Sequence, residues 1–280
     1  MNRLLTLAAI LPALLLAACT GESSAPHLAR GNVLVNNGKL EEAAAEYREA
    51  ARLSPKDVVP HERLGDTLYD LGRKDQALVA YQAAILANAS ASTARIGAAR
   101  VLADQGDLAG AQAQLTQALE QSPSNLYARL SRGNLSLKMG DRKAALADYE
   151  KAVHLKSDNV PALYQYGLAL LDDGQIAEAG ATFDRVLQLA PESPEGFYGR
   201  ARYFAARGEG AFAAEALALA QKRVEADARA RLSEQGLKGQ ALDAEVARIT
   251  HRSLDELQRE KAFARWAQDP GFRRTVGWSP

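Results

Sequence analysis

Along most of this 280-residue chain, apolar residues recur three and four positions apart, with charged and amide side chains between them. Leu64, Leu68 and Leu71 form one such run, and Tyr81, Ala84 and Ile85 another. This is the period of a helix with one buried face. Glycines, and in places prolines, interrupt the runs at short intervals and mark where each helix must end. The pattern predicts an all-α chain. The first eighteen residues depart from it. Behind Arg3, the segment from Leu4 to Ala18 is apolar throughout except for Thr6 and Pro12. It is shorter than the ~20 residues that a membrane-spanning helix needs and has the form of a secretory signal.

The helical runs repeat. In rows of 34 beginning at residues 24, 58, 92, 126, 160 and 194, the fifteenth column is Gly38, Gly72, Gly106, Gly140, Gly174 and Gly208. The eighth column is Gly31, Gly65, Ala99, Gly133, Gly167 and Ala201. The twentieth is alanine throughout, from Ala43 to Ala213, and the twenty-fourth is large: Tyr47, Tyr81, Leu115, Tyr149, Phe183 and Leu217. Proline stands at column 32 in three rows, as Pro55, Pro123 and Pro191. Glycine at column 15 suits a helix end that needs a left-handed residue. Small residues at columns 8 and 20 let two helices approach closely, and the large residue at column 24 fills the space toward the next helix. Proline at column 32 cannot continue a helix.

These columns resemble the tetratricopeptide repeat family, and the resemblance runs from residue 24 to about residue 227. It implies an α-solenoid, a right-handed superhelix of six helix pairs (24–57, 58–91, 92–125, 126–159, 160–193 and 194–227) with a concave groove. Such folds hold extended peptides or partner helices and are scaffolds far more often than catalysts. Two departures are local: row three has Ala98-Ala99 where Leu-Gly is usual, and row six lacks the closing proline.

Row six runs on without a break to Gly236, which predicts one long helix with Leu217 and Val224 buried and Lys222, Arg223, Arg229 and Arg231 exposed. The extension over 228–280 is expected to cap the solenoid with further helices. One is expected near 241–250, and another from a capping-box pattern at Ser253 and Glu256. Leu254, Leu257, Phe263, Ala264 and Trp266 would dock on the array. The tail carries Phe272, Val276 and Trp278 without evident helical spacing. Residues 221–280 hold 12 basic and 9 acidic side chains, against 21 and 25 in residues 19–220. The extension could dock on acidic repeats by charge, or present its own contact surface.

The apolar N-terminal run ends in Leu16-Ala17-Ala18-Cys19, which resembles the lipobox of bacterial lipoproteins. The resemblance implies a signal peptide over 1–18, cleavage before Cys19, and lipid on that cysteine as the membrane anchor. It implies a linker over 19–23, and Thr20 in place of aspartate directs such proteins to the outer membrane, facing the periplasm. The stretch Thr20 to Pro26 is small and polar and reads as a flexible spacer.

Composition narrows the function. Aliphatic and aromatic residues make up 47%, enough for a continuous core, and aromatics only 6%. Lysine and arginine number 34 and aspartate and glutamate 34, so no net field recruits nucleic acid. Cys19 is the one cysteine, and His27, His61, His154 and His251 have no ligand spacing. Neither a metal, a cofactor other than the covalent lipid, nor a catalytic constellation is expected.

The groove is the surface that carries function. Columns 2, 5, 9 and 12 of each first helix share a face. Column 9 supplies Asn32, Asp66, Arg100, Asn134 and Arg202, while Tyr127 from column 2 and Tyr164 and Tyr198 from column 5 make a tyrosine strip. Such a strip grips apolar side chains while amides and guanidinium groups bond a backbone. The same tyrosines could instead pack between repeats. The family's clamp for acidic tails of cytosolic chaperones needs basic residues at column 5, where this chain has apolar residues, tyrosine and Glu62. The architecture resembles pilotin lipoproteins of type IV pili and the repeat lipoproteins of tight-adherence pilus loci. That implies an adaptor holding an envelope protein, such as a secretin or another pilus component, in its groove. The alternatives are a subunit of outer-membrane protein assembly and an accessory scaffold for a murein or polysaccharide enzyme.

Overall fold

A computed structural model describes residues 23–258 and 260–278; the signal segment and Cys19 lie outside them. Six helix pairs follow one another: α1 (Ser24–Asn36) and α2 (Leu40–Leu53), α3 (Val58–Asp70) and α4 (Lys74–Ala87), α5 (Ser92–Gln105) and α6 (Leu108–Gln121), α7 (Leu126–Lys138) and α8 (Arg142–Leu155), α9 (Val160–Asp172) and α10 (Ile176–Leu189), and α11 (Pro194–Arg207) with α12 (Gly210–Glu234). After them come α13 (Gly239–Gln258), a 3-10 helix at Lys261–Trp266, and α14 (Pro270–Val276). No strand occurs among the described residues. The first helix of every pair starts at column 1 of its row and the second at column 17. The spacer is shorter than expected: α1 begins at Ser24, where Ser23 Oγ accepts from the Ala25 amide at 3.3 Å.

Every first helix stops in the same way. Glycine at column 15 has φ between 73° and 89° in all six rows. The amide one residue later turns back on the carbonyl of column 11, as in Lys39 to Leu34 (2.9 Å), Arg73 to Leu68 (2.8 Å) and Gln175 to Leu170 (2.8 Å). That six-to-one bond satisfies a carbonyl the helix would leave open, and reverses the chain into the second helix. Asp57, Asp107, Asn125, Asp141 and Asn159 cap helix starts through side-chain acceptors.

The chain gathers into two compact units that divide within α7, one ending at Leu135 and the other beginning at Ser136. In the first, Tyr47, Leu64, Leu68, Tyr81 and Val101 are buried among alanines. A methyl on Gly31 would stand 2.5 Å from the Tyr47 ring, and one on Gly65 2.6 Å from Tyr81. The column 24 ring therefore packs directly on the column 8 backbone of its own pair, and Gly97 lets Tyr81 meet α5 as closely. Row three replaces both partners together: Ala99 packs with Leu115.

In the second unit, a methyl on Gly167 would stand 2.6 Å from the Phe183 ring, and row six again pairs alanine with leucine, Ala201 with Leu217. The long α12 buries Leu217, and beyond it Ala228 and Leu232, which pack with Val246 of α13. Val224 is only half-buried, and Arg223 pairs with Glu192. Phe263, Phe272, Val276 and Trp278 bury themselves against Ala201, Ala205, Ala213 and Leu217. They cover the face that a seventh pair would occupy.

Three expectations about this extension are corrected. No helix starts at Ser253, because α13 runs unbroken through it. No glycine or proline stops the chain there, and continuing a helix gains a bond for each residue fixed, while a restart needs a new nucleus. Residues after Pro270 are helical: Asp269 caps the Phe272 amide at 2.6 Å, Gly277 ends the turn at φ 73°, and Phe272 and Val276 stand four apart on one face. Ala264 is exposed because residues 261–266 turn with period three, which places Phe263 and Trp266, not Ala264, on the docked side. The side chains of Leu254 and Leu257 lie outside the described ones.

Candidate functional site: two grooves

In the first unit, three consecutive first helices bring column 9 to one polar hollow of about 560 Å³, lined by Asn32, Asp66 and Arg100 with Tyr47, Arg63 and Asp70. The column 24 tyrosines reach it from beneath. Tyr47 donates its hydroxyl to Asn32 Oδ1 at 2.7 Å, and Tyr81 donates to Asp66 Oδ1 at 2.6 Å. With its oxygen engaged, the Asn32 amide nitrogen keeps two donors for a ligand. Burial first, and the Asp66 bond and charge second, hold the Tyr81 hydroxyl protonated well above the ordinary phenol range.

Row three has leucine at column 24, so Arg100 has no hydroxyl beneath it in its own row. It reaches back to the Tyr81 hydroxyl at 3.3 Å, stands 3.6 Å from Asp66, and lies 3.9 Å over the Tyr69 ring. Tyr69 in turn donates to Asp104 at 2.5 Å. The hollow thus presents an amide, a carboxylate and a stacked guanidinium at successive repeats. Donors and acceptors in alternation suit the backbone of an extended segment better than a single ion. Tyr127, in the same unit, is 72% exposed.

Glu62, at column 5, has a structural use. Its Oε1 accepts the Ala94 amide at 3.1 Å, in the first turn of α5, whose own N-cap residue Ala91 offers no side-chain bond. Burial raises the Glu62 pKa, and the backbone bond opposes it.

The second unit treats its column 5 and column 9 residues differently. Tyr164 is half-buried, 6.2 Å from the Phe183 ring, and burial raises its pKa. Tyr198 packs at the edge of the cluster around Ala201 and Leu217. Arg202 donates to the Tyr164 hydroxyl at 3.3 Å and grips Glu260 with two bonds of 2.9 and 2.7 Å. Burial lowers the Arg202 pKa, but the Glu260 bond and the surrounding negative charge outweigh it and hold the guanidinium charged. Asn134, at the end of the first unit, is exposed and already bonded.

The segment from Glu260 to Arg265 therefore lies against column 9 of the last repeat. Beside it a cavity of about 870 Å³ is walled by Leu168, Asp172, Arg202 and Ala205 on one side and by Lys261 and Ala264 on the other. One of the two readings of the extension, docking by net charge, would set its basic residues on acidic repeats. Arg223 on Glu192 follows that direction. At the groove the bidentate pair runs the other way, a repeat arginine on an extension glutamate, and Arg265 donates to the Ala205 carbonyl beside the apolar contact. Column spacing could not assign Glu260, Arg63 or Asp70 to a groove. The Glu260, Phe263, Trp266 spacing of three was the available clue.

Family models described as TPR repeat and tetratricopeptide repeat match residues 31–72 and the overlapping windows 62–125, 96–160 and 130–194, together more than half of the chain. The chain belongs to the tetratricopeptide repeat family. Among curated proteins none matches it significantly. Of solved structures it is similar to YrrB, described as a TPR protein with an unusual peptide-binding site, at 25% identity and TM-score 0.51, over 68% of this chain and 98% of that one. It is similar in fold to PilF of Pseudomonas aeruginosa, at 17% identity and TM-score 0.60, covering 69% and 88%. A tetratricopeptide repeat protein of Parabacteroides merdae matches at 19% identity and TM-score 0.58, covering 82% and 100%. Repeat proteins of this family bind peptide or protein partners in a groove and serve as interaction scaffolds, and this TPR chain has that architecture.

Proposed function

We propose that this TPR protein is an adaptor held on the periplasmic face of the outer membrane by lipid on Cys19, and that its first groove holds an extended segment of another envelope protein. The observation that carries the reading is the convergence of Asn32, Asp66 and Arg100 from three consecutive repeats on one open polar hollow. Two of these side chains are fixed in place by buried tyrosine hydroxyls. Fixed donors and acceptors cost a ligand little ordering, which raises affinity for backbone groups. The partner in this reading is a component of a pilus or secretion machine, such as a secretin subunit. Support for that part is the lipobox beside the repeat array and the likeness in fold to PilF.

The test is capture from detergent-solubilised envelopes on the full-length lipidated chain. The unaltered chain is expected to retain a pilus or secretin component. The Asn32→Ala, Asp66→Ala, Arg100→Ala triple variant should retain at least tenfold less while remaining fully helical. Equal retention by the triple variant would remove the first groove from the proposal. Retention of a murein-processing enzyme in place of a pilus component would move the protein to the accessory-scaffold reading.

A further inference from the structure

We infer that the segment Glu260–Trp266 is a built-in ligand of the second groove, and that the groove's external partner is a segment of the same chemistry: a carboxylate followed at spacings of three by two aromatic side chains. The inference stands apart from the first groove and from the anchor.

The geometry carries it. In a 3-10 helix, residues three apart eclipse on one side. Glu260 stands at the cap of this one, so Glu260, Phe263 and Trp266 form a single row. All three face the last repeat. Glu260 takes both bonds from Arg202. Phe263 is 1% exposed among Ala201, Ala205 and Leu217. Trp266 lies on Gly210, where a methyl would meet the indole, and stacks on Phe272 at 5.7 Å. Lys261, Ala262 and Ala264 are exposed, while the Arg265 guanidinium lies 4.0 Å over the Trp266 ring and donates to the Ala205 carbonyl.

An acidic anchor with two aromatics is more specific than a cap requires. Covering an apolar end needs apolar side chains alone, which Phe272, Val276 and Trp278 already supply. A bidentate arginine–carboxylate pair adds geometric selection. Arg202 uses Nε and Nη2 on the carboxylate while Nη1 donates to the Tyr164 hydroxyl. The segment also leaves the groove part-filled, since the cavity of about 870 Å³ lies between it and Leu168 and Asp172. A longer external segment that repeats the anchor row could use that space as well.

Tethering gives the internal segment an effective concentration of roughly millimolar. An external peptide with the same row is therefore suppressed until the internal anchor is weakened. The probe is a fluorescent peptide with the sequence of residues 258–269, QREKAFARWAQD, titrated by anisotropy against the full-length chain. The Glu260→Gln chain should bind it at least tenfold more tightly than the unaltered chain. A probe carrying glutamine at the anchor should lose that gain, and so should a chain with both Glu260→Gln and Arg202→Met. Equal binding to unaltered and Glu260→Gln chains, with circular dichroism unchanged, would make the segment a fixed cap and overturn the inference. Should Glu260→Gln impair folding, the unaltered chain is exposed to saturating probe bearing a photoreactive phenylalanine at the Phe263 position. Crosslinks within 165–172 and 202–206 support the inference; crosslinks elsewhere, or none, overturn it.

Discussion

Tyr81 shows how tightly single residues are coupled in this fold. Its Cδ1–Cε1–Cζ edge lies against both Gly65 and Gly97 of the next pair, and its hydroxyl holds Asp66. Columns 8, 9 and 24 therefore vary as a set. Glycine and an acceptor accompany tyrosine in rows one and two, glycine and Leu168 accompany Phe183, and alanine and arginine accompany leucine in rows three and six. Placing a methyl at Gly65 drives it into the ring, and Gly65→Ala should cost ~1–3 kcal/mol as an overpacked core. Adding Tyr81→Leu recreates the row-three arrangement, so in urea unfolding the double variant should cost at least ~0.5 kcal/mol less than the two single changes summed. Strict additivity would break the coupling argument. Glu62 gives a second test. Its pKa is raised above the ordinary 4.5 by burial, so the folded chain holds this proton more strongly than the unfolded chain. That contribution is complete below 4.5 and is lost as pH rises through the folded value. Glu62→Gln keeps an acceptor for Ala94 without the buried charge. It should match or exceed the unaltered chain in melting temperature at pH 7, and lose that advantage below pH 4.5. Glu62→Ala, which abandons the α5 cap, should cost ~0.5–2 kcal/mol at either pH.

At the scale of helices, repetition made the array legible and its absence hid the extension. Six glycines in register fix six chain reversals, because each stands where the backbone must turn left-handed, so Gly38 and Gly208 could be read from spacing alone. Column 9 was legible as a face but not as a set of bonds, since its partners are hydroxyls at column 24, fifteen residues later. Past Gly236 no second copy exists against which to align, and local signals competed. The Ser253 capping pattern lost to helix propagation. The real cap, Asp269 with Pro270 behind it, opens a helix of seven residues, too short for periodicity to register. Asp269→Ala should remove that cap, costing ~1 kcal/mol. Amide exchange should then quicken in residues 270–277 and in the 3-10 turn, with the amides of α1–α6 unchanged. Faster exchange throughout the chain would mean that α14 nucleates the whole array instead of sealing its end.

For the molecule as a whole, the question is whether attachment and recognition are separate devices. The proposed recognition surfaces lie on helices from Ser24 onward, and the proposed anchor is Cys19, a few residues before them. Among the described residues no helix is long and apolar enough to cross a membrane; in the proposed reading the attachment is the lipid on Cys19. Each buried CH₂ of an acyl chain adds ~0.8 kcal/mol, and one chain alone gives only reversible binding. Stable residence therefore needs the multiple acylation that the lipobox implies. Cys19→Ser removes the acceptor thiol while leaving every groove residue untouched. In flotation of lysed cells, the unaltered chain should rise with outer membranes. The serine variant should stay with soluble protein or accumulate as unprocessed precursor, and a processed serine chain that still floats would remove the lipid from the proposal. The same variant, purified as the mature length, should capture the envelope partner from solubilised membranes as well as the lipidated chain does. Its capture should remain sensitive to Asn32, Asp66 and Arg100, because the tyrosines that set those side chains are buried within the repeats. Loss of capture on removing the lipid alone would mean that the acyl chains, or the membrane they enter, form part of the binding surface.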